Sequence, residues 1–102
     1  MFKINNVDWK VKLVSPNHPK IKRSDGSYTY GSCDDNTKTI YISQSVPRGK
    51  IKKVICHEVT HAAMFSYRVE LSLEQEEIIA DLIATYGKEI IDVTNKIFNR
   101  IS

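Results

Sequence analysis

The chain has 102 residues, with 15 Lys+Arg against 12 Asp+Glu, a net charge of +3. That length suits one domain, 1–102, and a composition 41% hydrophobic and 26% charged is that of a globular protein, not a disordered or fibrous one. The longest apolar runs are a few residues, against the ~20 that a bilayer demands, which excludes a membrane-spanning helix. The N-terminus lacks an apolar signal segment, so a cytoplasmic location is expected. Cys33 and Cys56 fall in no CxxC spacing and are expected as free thiols.

The charge is unevenly spread. Residues 1–53 hold 11 Lys/Arg against 4 Asp/Glu, a net of +7, and residues 54–102 hold 4 against 8, a net of −4. Lysines on short exposed strands, where they discourage edge pairing, account for the basic half. The cluster Lys20, Lys22 and Arg23 comes with no reading helix, RNP or zinc-finger motif, so nucleic acid is not an expected partner.

In chain order, Phe2–Ile4 and Val7–Val14 read as short strands joined through Asn5-Asn6, a pair suited to a tight hairpin. Trp9, Val11 and Leu13 alternate with Lys10 and Lys12, which predicts one apolar face. Breakers around Pro16–Pro19 and Asp25-Gly26 follow; His18, in the first of them, is expected to be exposed and idle. Tyr28–Ser32 and Lys38–Ser43 are two further strands, with turn chemistry at Asp34-Asp35-Asn36. If the strand carrying Ile40 and Ile42 is an edge, an extended substrate can pair with its backbone; otherwise it is an ordinary paired strand.

From about Ser45 the period changes. Ile51, Ile55, Val59 and Ala62 form one helical stripe running to about Phe65. Ser72-Leu73-Glu74-Gln75 is a capping box that starts a second helix at Leu73, continuing to about Tyr86. Gly87 either ends it or is tolerated inside a longer one. Ile90, Thr94, Ile97 and Ile101 mark a third helical stripe. Strands followed by helices make an α+β domain.

The first helix contains His57-Glu58-Val59-Thr60-His61, an HExxH, which arises by chance in a chain of this composition roughly once in two hundred. At 100° per residue His57 and His61 share a face one turn apart, so both imidazoles can reach one metal ion. Glu58 lies beside that face, placed to take a proton from a metal-activated water. Two histidines need a third ligand, and the second helix offers Glu77 and Asp81 at i and i+4 among Ile78, Ile79, Leu82 and Ile83. Carboxylates that interrupt an apolar surface call for a partner or a metal. Glu77 completes a His₂Glu set, and Asp81 is placed to accept the spare N–H of a ligand histidine. Glu74 and Glu76 read as first-turn acids complementing the helix dipole.

HExxH followed on the next helix by Glu-x-x-x-Asp resembles the gluzincin zinc metallopeptidases. The compact form, from Gly31–Asp34 through Lys38–Ser43 to the HExxH helix, is similar to their small phage and prophage-encoded members, and more distantly to the ImmA/IrrE type. The resemblance spans about Tyr30 to Tyr86. It implies a minimal zincin: a small N-terminal sheet, an active-site helix, a glutamate helix and a C-terminal helix. It also implies Zn²⁺ as cofactor, His57, His61 and Glu77 as ligands, Glu58 as general base and Asp81 as the acceptor behind a ligand. The implied reaction is hydrolysis of a protein or peptide substrate, with the strand before the active helix lining the cleft. No motif locates the Tyr or His that larger members use beside the oxyanion; Tyr67 and Tyr86 are candidates that packing or surface roles explain as well. A zinc-stabilised, non-catalytic interaction module is the alternative reading.

Overall fold

The structure, a computed structural model, describes all 102 residues. Strands β1 (Phe2–Ile4) and β2 (Val7–Val14) form an antiparallel hairpin, with Ile4 opposite Val7. Asn5 and Asn6 both take positive φ, 49° and 64°, the conformation a two-residue turn between twisted strands requires. Asn5 Nδ2 also donates to the Ser66 carbonyl at 2.9 Å, tying this turn to the end of the first long helix.

Strands β3 (Gly31–Asp34) and β4 (Thr39–Ser43) form a second hairpin, and β4 pairs in parallel with β2. The sheet order is β1-β2-β4-β3. β4 is therefore interior and buried along its whole length, with β1 and β3 at the two edges. Of the two alternatives open for the strand carrying Ile40 and Ile42, the ordinary paired strand is the one found, and Gly31–Asp34 lies at an edge. Alternation along β4 serves two layers. Ile40 and Ile42 pack with Trp9, Val46 and Ala62 beneath the first helix, whereas Tyr41 packs on the opposite face with Val14 and Ile21.

Ile21 comes from a short 3₁₀ turn, Pro19–Ile21. His18 is not idle there: its Nδ1 accepts the Lys20 N–H at 3.0 Å, and its ring stacks on Tyr41. The apolar face expected on β2 is only partly used. Trp9 is fully buried, but Val11 and Leu13 are exposed, because the first helix lies over β3 and β4 and leaves that part of β2 uncovered.

Helix α1 (Ile51–Ser66) follows a 3₁₀ turn at Arg48–Lys50. Ile51 and Ile55 are exposed; the face turned to the sheet carries Val54, Glu58, Ala62 and Phe65 instead. The helix closes with Arg68 at φ +54°, its N–H reaching the Phe65 carbonyl and the Val69 N–H reaching that of Met64. This is the left-handed cap that glycine usually fills. Trp9 Nε1 donates to Ser66 Oγ at 2.8 Å, so the last turn of α1 is bonded to the centre of the sheet.

The expected glutamate and C-terminal helices are one. Helix α2 runs from Leu73 to Ile101, 29 residues, and Gly87 is carried inside it. Both halves of the capping box form: Ser72 Oγ accepts the Gln75 N–H, and Gln75 Oε1 accepts the Ser72 N–H. A four-stranded sheet followed by two helices is the α+β arrangement the residue pattern predicts. No helix is long and apolar enough to cross a membrane.

Candidate metal centre

The HExxH turn lies in the middle of α1, where the helix is pressed against β3. Contact there is close because residue 31 has no side chain. A Cβ at Gly31 would fall 3.1 Å from both Glu58 Cγ and Val54 Cγ1. The hairpin of α1 on α2 brings the first turns of α2 across His57 and His61. Between these elements lies a cleft of about 770 Å³, lined among others by Tyr30, Cys33, His57, Glu58, His61 and Glu77.

Within it the two Nε2 atoms of His57 and His61 stand 3.3 Å apart. Glu77 reaches both: its Oε2 is 3.2 Å from His57 Nε2 and its Oε1 is 2.9 Å from His61 Nε2. The remaining ring nitrogens face other carboxylates. His57 Nδ1 is 3.0 Å from Asp81 Oδ1, and His61 Nδ1 is 3.3 Å from Glu76 Oε1. The ligand-type atoms of His57, His61 and Glu77 all lie within 4.8 Å of one another.

This donor set fits a cation. With each Nδ1–H donated to a carboxylate, both neutral imidazoles present their Nε2 lone pairs inward. In that tautomer the lone pairs face each other and the Glu77 carboxylate, an arrangement that a positive ion at the centre relieves. Zinc–nitrogen bonds of about 2.0–2.1 Å at tetrahedral angles place two ligand nitrogens ~3.3 Å apart, the separation observed here.

The residues expected from the sequence are thus brought together: His57, His61 and Glu77 converge, Asp81 stands behind His57, and Glu58 lies in the same cleft. Burial pushes the Glu58 carboxyl up to about 7; the nearby Glu77 adds to the rise and His57 opposes it. Glu76 corrects the sequence reading. It is not a dipole-complementing surface acid but half-buried, and it holds His61 as Asp81 holds His57. Its signal was in the pattern, since it precedes Ile79 by three and the buried Ala80 by four, on the inward side of α2.

Tyr67 and Tyr86 lie outside the cleft and are exposed. The one tyrosine on its wall is Tyr30, which the sequence pattern places only in a strand, Tyr28–Ser32, with no motif attached; the strand found begins one residue later, at Gly31. Cys33 lines the cleft as a thiol pushed up to about 12, chiefly by burial and next by the Glu58 carboxylate. The cations Arg23, Lys50 and Lys53 also line it, and none of them is in an ion pair.

Comparison with known families matches residues 1–86 to a model described as "Predicted Zn-dependent protease (DUF2268)". No curated protein and no solved structure matches the chain.

Proposed function

The chain belongs to the DUF2268 family of predicted Zn-dependent proteases, and from that premise we propose that it is a single-domain metallopeptidase of gluzincin type. The observation that supports this most directly is the convergence of His57 Nε2, His61 Nε2 and the Glu77 carboxylate in a cleft that also holds Glu58. In this reading His57, His61 and Glu77 hold the ion, and Asp81 and Glu76 fix the tautomer and aim of the two imidazoles. Zinc, when bound, supplies a Lewis acid that brings the pKa of water toward neutrality.

The chain's own residues do the rest. Glu58 takes a proton from the attacking water and hands it to the leaving amine nitrogen, and its burial keeps its proton affinity suited to both transfers. Tyr30, the tyrosine on the cleft wall, is assigned in this reading as the donor to the scissile carbonyl oxygen as that atom gains charge. The free edge of β3 offers its backbone to an extended peptide, which then runs past Glu58. The unpaired Arg23, Lys50 and Lys53 on the cleft wall favour substrates with acidic side chains.

The test is a digest of a peptide pool by zinc-loaded wild type and by Glu58→Gln, read as new N-termini by mass spectrometry. Cleavage by wild type, lost in a variant that still holds zinc, is expected. No cleavage by the zinc-loaded wild type, or equal cleavage by both proteins, would overturn the assignment. The first of those results would leave a zinc-stabilised interaction module.

A further inference from the structure

The second half of α2 takes no part in the site. A 16-residue α1 covers about 24 Å, whereas the 29 residues of α2 extend about 43 Å, so roughly half of α2 projects beyond its partner. The molecule is accordingly 51 Å long and only 30 × 27 Å across. The family match ends at Tyr86, so the projecting arm lies outside the region shared with the family.

An arm of this kind in water is expected to be polar all round, and this one is not. Ile83, Tyr86, Ile90, Val93 and Ile97 are all 40–55% exposed. Their spacing alternates three and four, which with Ile79 gives an a/d heptad with Ile83, Ile90 and Ile97 at a and Ile79, Tyr86 and Val93 at d. The intrahelical pair Lys88–Asp92, 2.7 Å, sits on the far side at f and c. Ile91 and Phe98 fall outside the seam.

We propose that this arm pairs antiparallel with the same segment of a second copy of the chain. Charge decides both the occupant and the direction. The residues at g in the arm are Glu89 and Lys96, and those at e are Gly87, Thr94 and Ile101. In an antiparallel pair a faces d′ and g faces g′. Layering Ile90 on the partner's Val93 and Ile97 on the partner's Tyr86 sets Glu89 beside the partner's Lys96 and, by the two-fold symmetry, Lys96 beside the partner's Glu89. A parallel pair sets g against e′ and leaves both charges without a partner. In the antiparallel register Ile83 meets the aliphatic stem of the partner's Arg100.

Half-exposed side chains of this size offer on the order of 80–100 Å² each, so the seam and its flanks approach the low end of specific interfaces, about 1,000–1,200 Å² in total. The dimer is therefore weak and concentration-dependent.

The test is sedimentation velocity on the full chain across a hundredfold concentration range, for wild type, Glu89→Lys and Lys96→Glu, with far-UV circular dichroism to verify the fold. The wild type is expected to pass from monomer to dimer. Each single reversal turns two attractive contacts into two repulsive ones and weakens the dimer on the order of 30-fold. An equimolar mixture of the two variants restores it, because every g–g′ contact in the mixed dimer is then attractive. A wild type that stays monomeric throughout, or a dimer indifferent to both reversals, would overturn the proposal.

Discussion

The two carboxylates behind the histidines are not equivalent, and their difference gives a prediction about metal affinity. Glu76→Ala and Asp81→Ala each remove the acceptor of one Nδ1–H, a class of change that typically weakens metal binding 10- to 100-fold. The distances rank Asp81 first, at 3.0 Å against 3.3 Å for Glu76. Burial ranks them the other way and by a wider margin. The Asp81 side chain is 69% exposed and the Glu76 side chain 15%, while His61 is 8% exposed and His57 20%. Water can replace Asp81 at His57, whereas the His61 N–H stripped of Glu76 has almost none to turn to. An unsatisfied buried donor costs about 1–3 kcal/mol, and a solvated one far less. Glu76→Ala is therefore expected near the 100-fold end, about 2.7 kcal/mol, and Asp81→Ala near the tenfold end, about 1.4 kcal/mol. Competition for zinc against a chromophoric chelator measures both. Equal losses, or a larger loss in Asp81→Ala, would refute the argument from burial.

Other expectations follow from single contacts. Glu58→Gln is expected to lower turnover by 10²- to 10⁴-fold, read from initial rates on a cleaved peptide, with zinc content unchanged. Ser66→Ala strips the fully buried Trp9 indole of its acceptor and is expected to destabilise the fold by about 1–3 kcal/mol, seen in thermal melts; an unchanged melt would contradict that bond. Arg68→Gly relieves a left-handed backbone at the end of α1 and should stabilise by about 1 kcal/mol in urea titrations. Cys33, held protonated well above the ordinary thiol range, is expected to resist iodoacetamide in the native protein from pH 7 to 9 and to react once unfolded. Because its folded pKa lies above the unfolded one, its contribution to stability is complete below about 8.5 and is lost as pH rises toward 12.

Local chemistry made much of this molecule legible. Asn5-Asn6 announced a two-residue hairpin, Ser72 with Gln75 announced the start of α2, and the spacing within His57–His61 announced two imidazoles on one face. What failed to show was set by partners distant in sequence. Whether Ile40 lies on an edge or in the centre depends on β2 pairing in parallel with β4, which no local pattern encodes. Val11 and Leu13 have the alternation of a buried face but lie where α1 does not reach. Glu76 was obscured by its company, since three glutamates at the start of a helix look alike until α1 is packed against Glu76 and Glu77. Ile90 and Ile97 repeat at helical spacing and do lie in a helix, the continuation of α2 and not a third one, but a stripe does not say what it packs against.

The proposed function rests on zinc being held by His57, His61 and Glu77. Zinc per chain, measured on purified wild type and on Glu77→Ala after both are offered the metal, tests it most directly. Near-stoichiometric zinc in the wild type and sharply weakened binding in the variant are expected. Zinc retained undiminished in Glu77→Ala, or absent from both proteins, would contradict it.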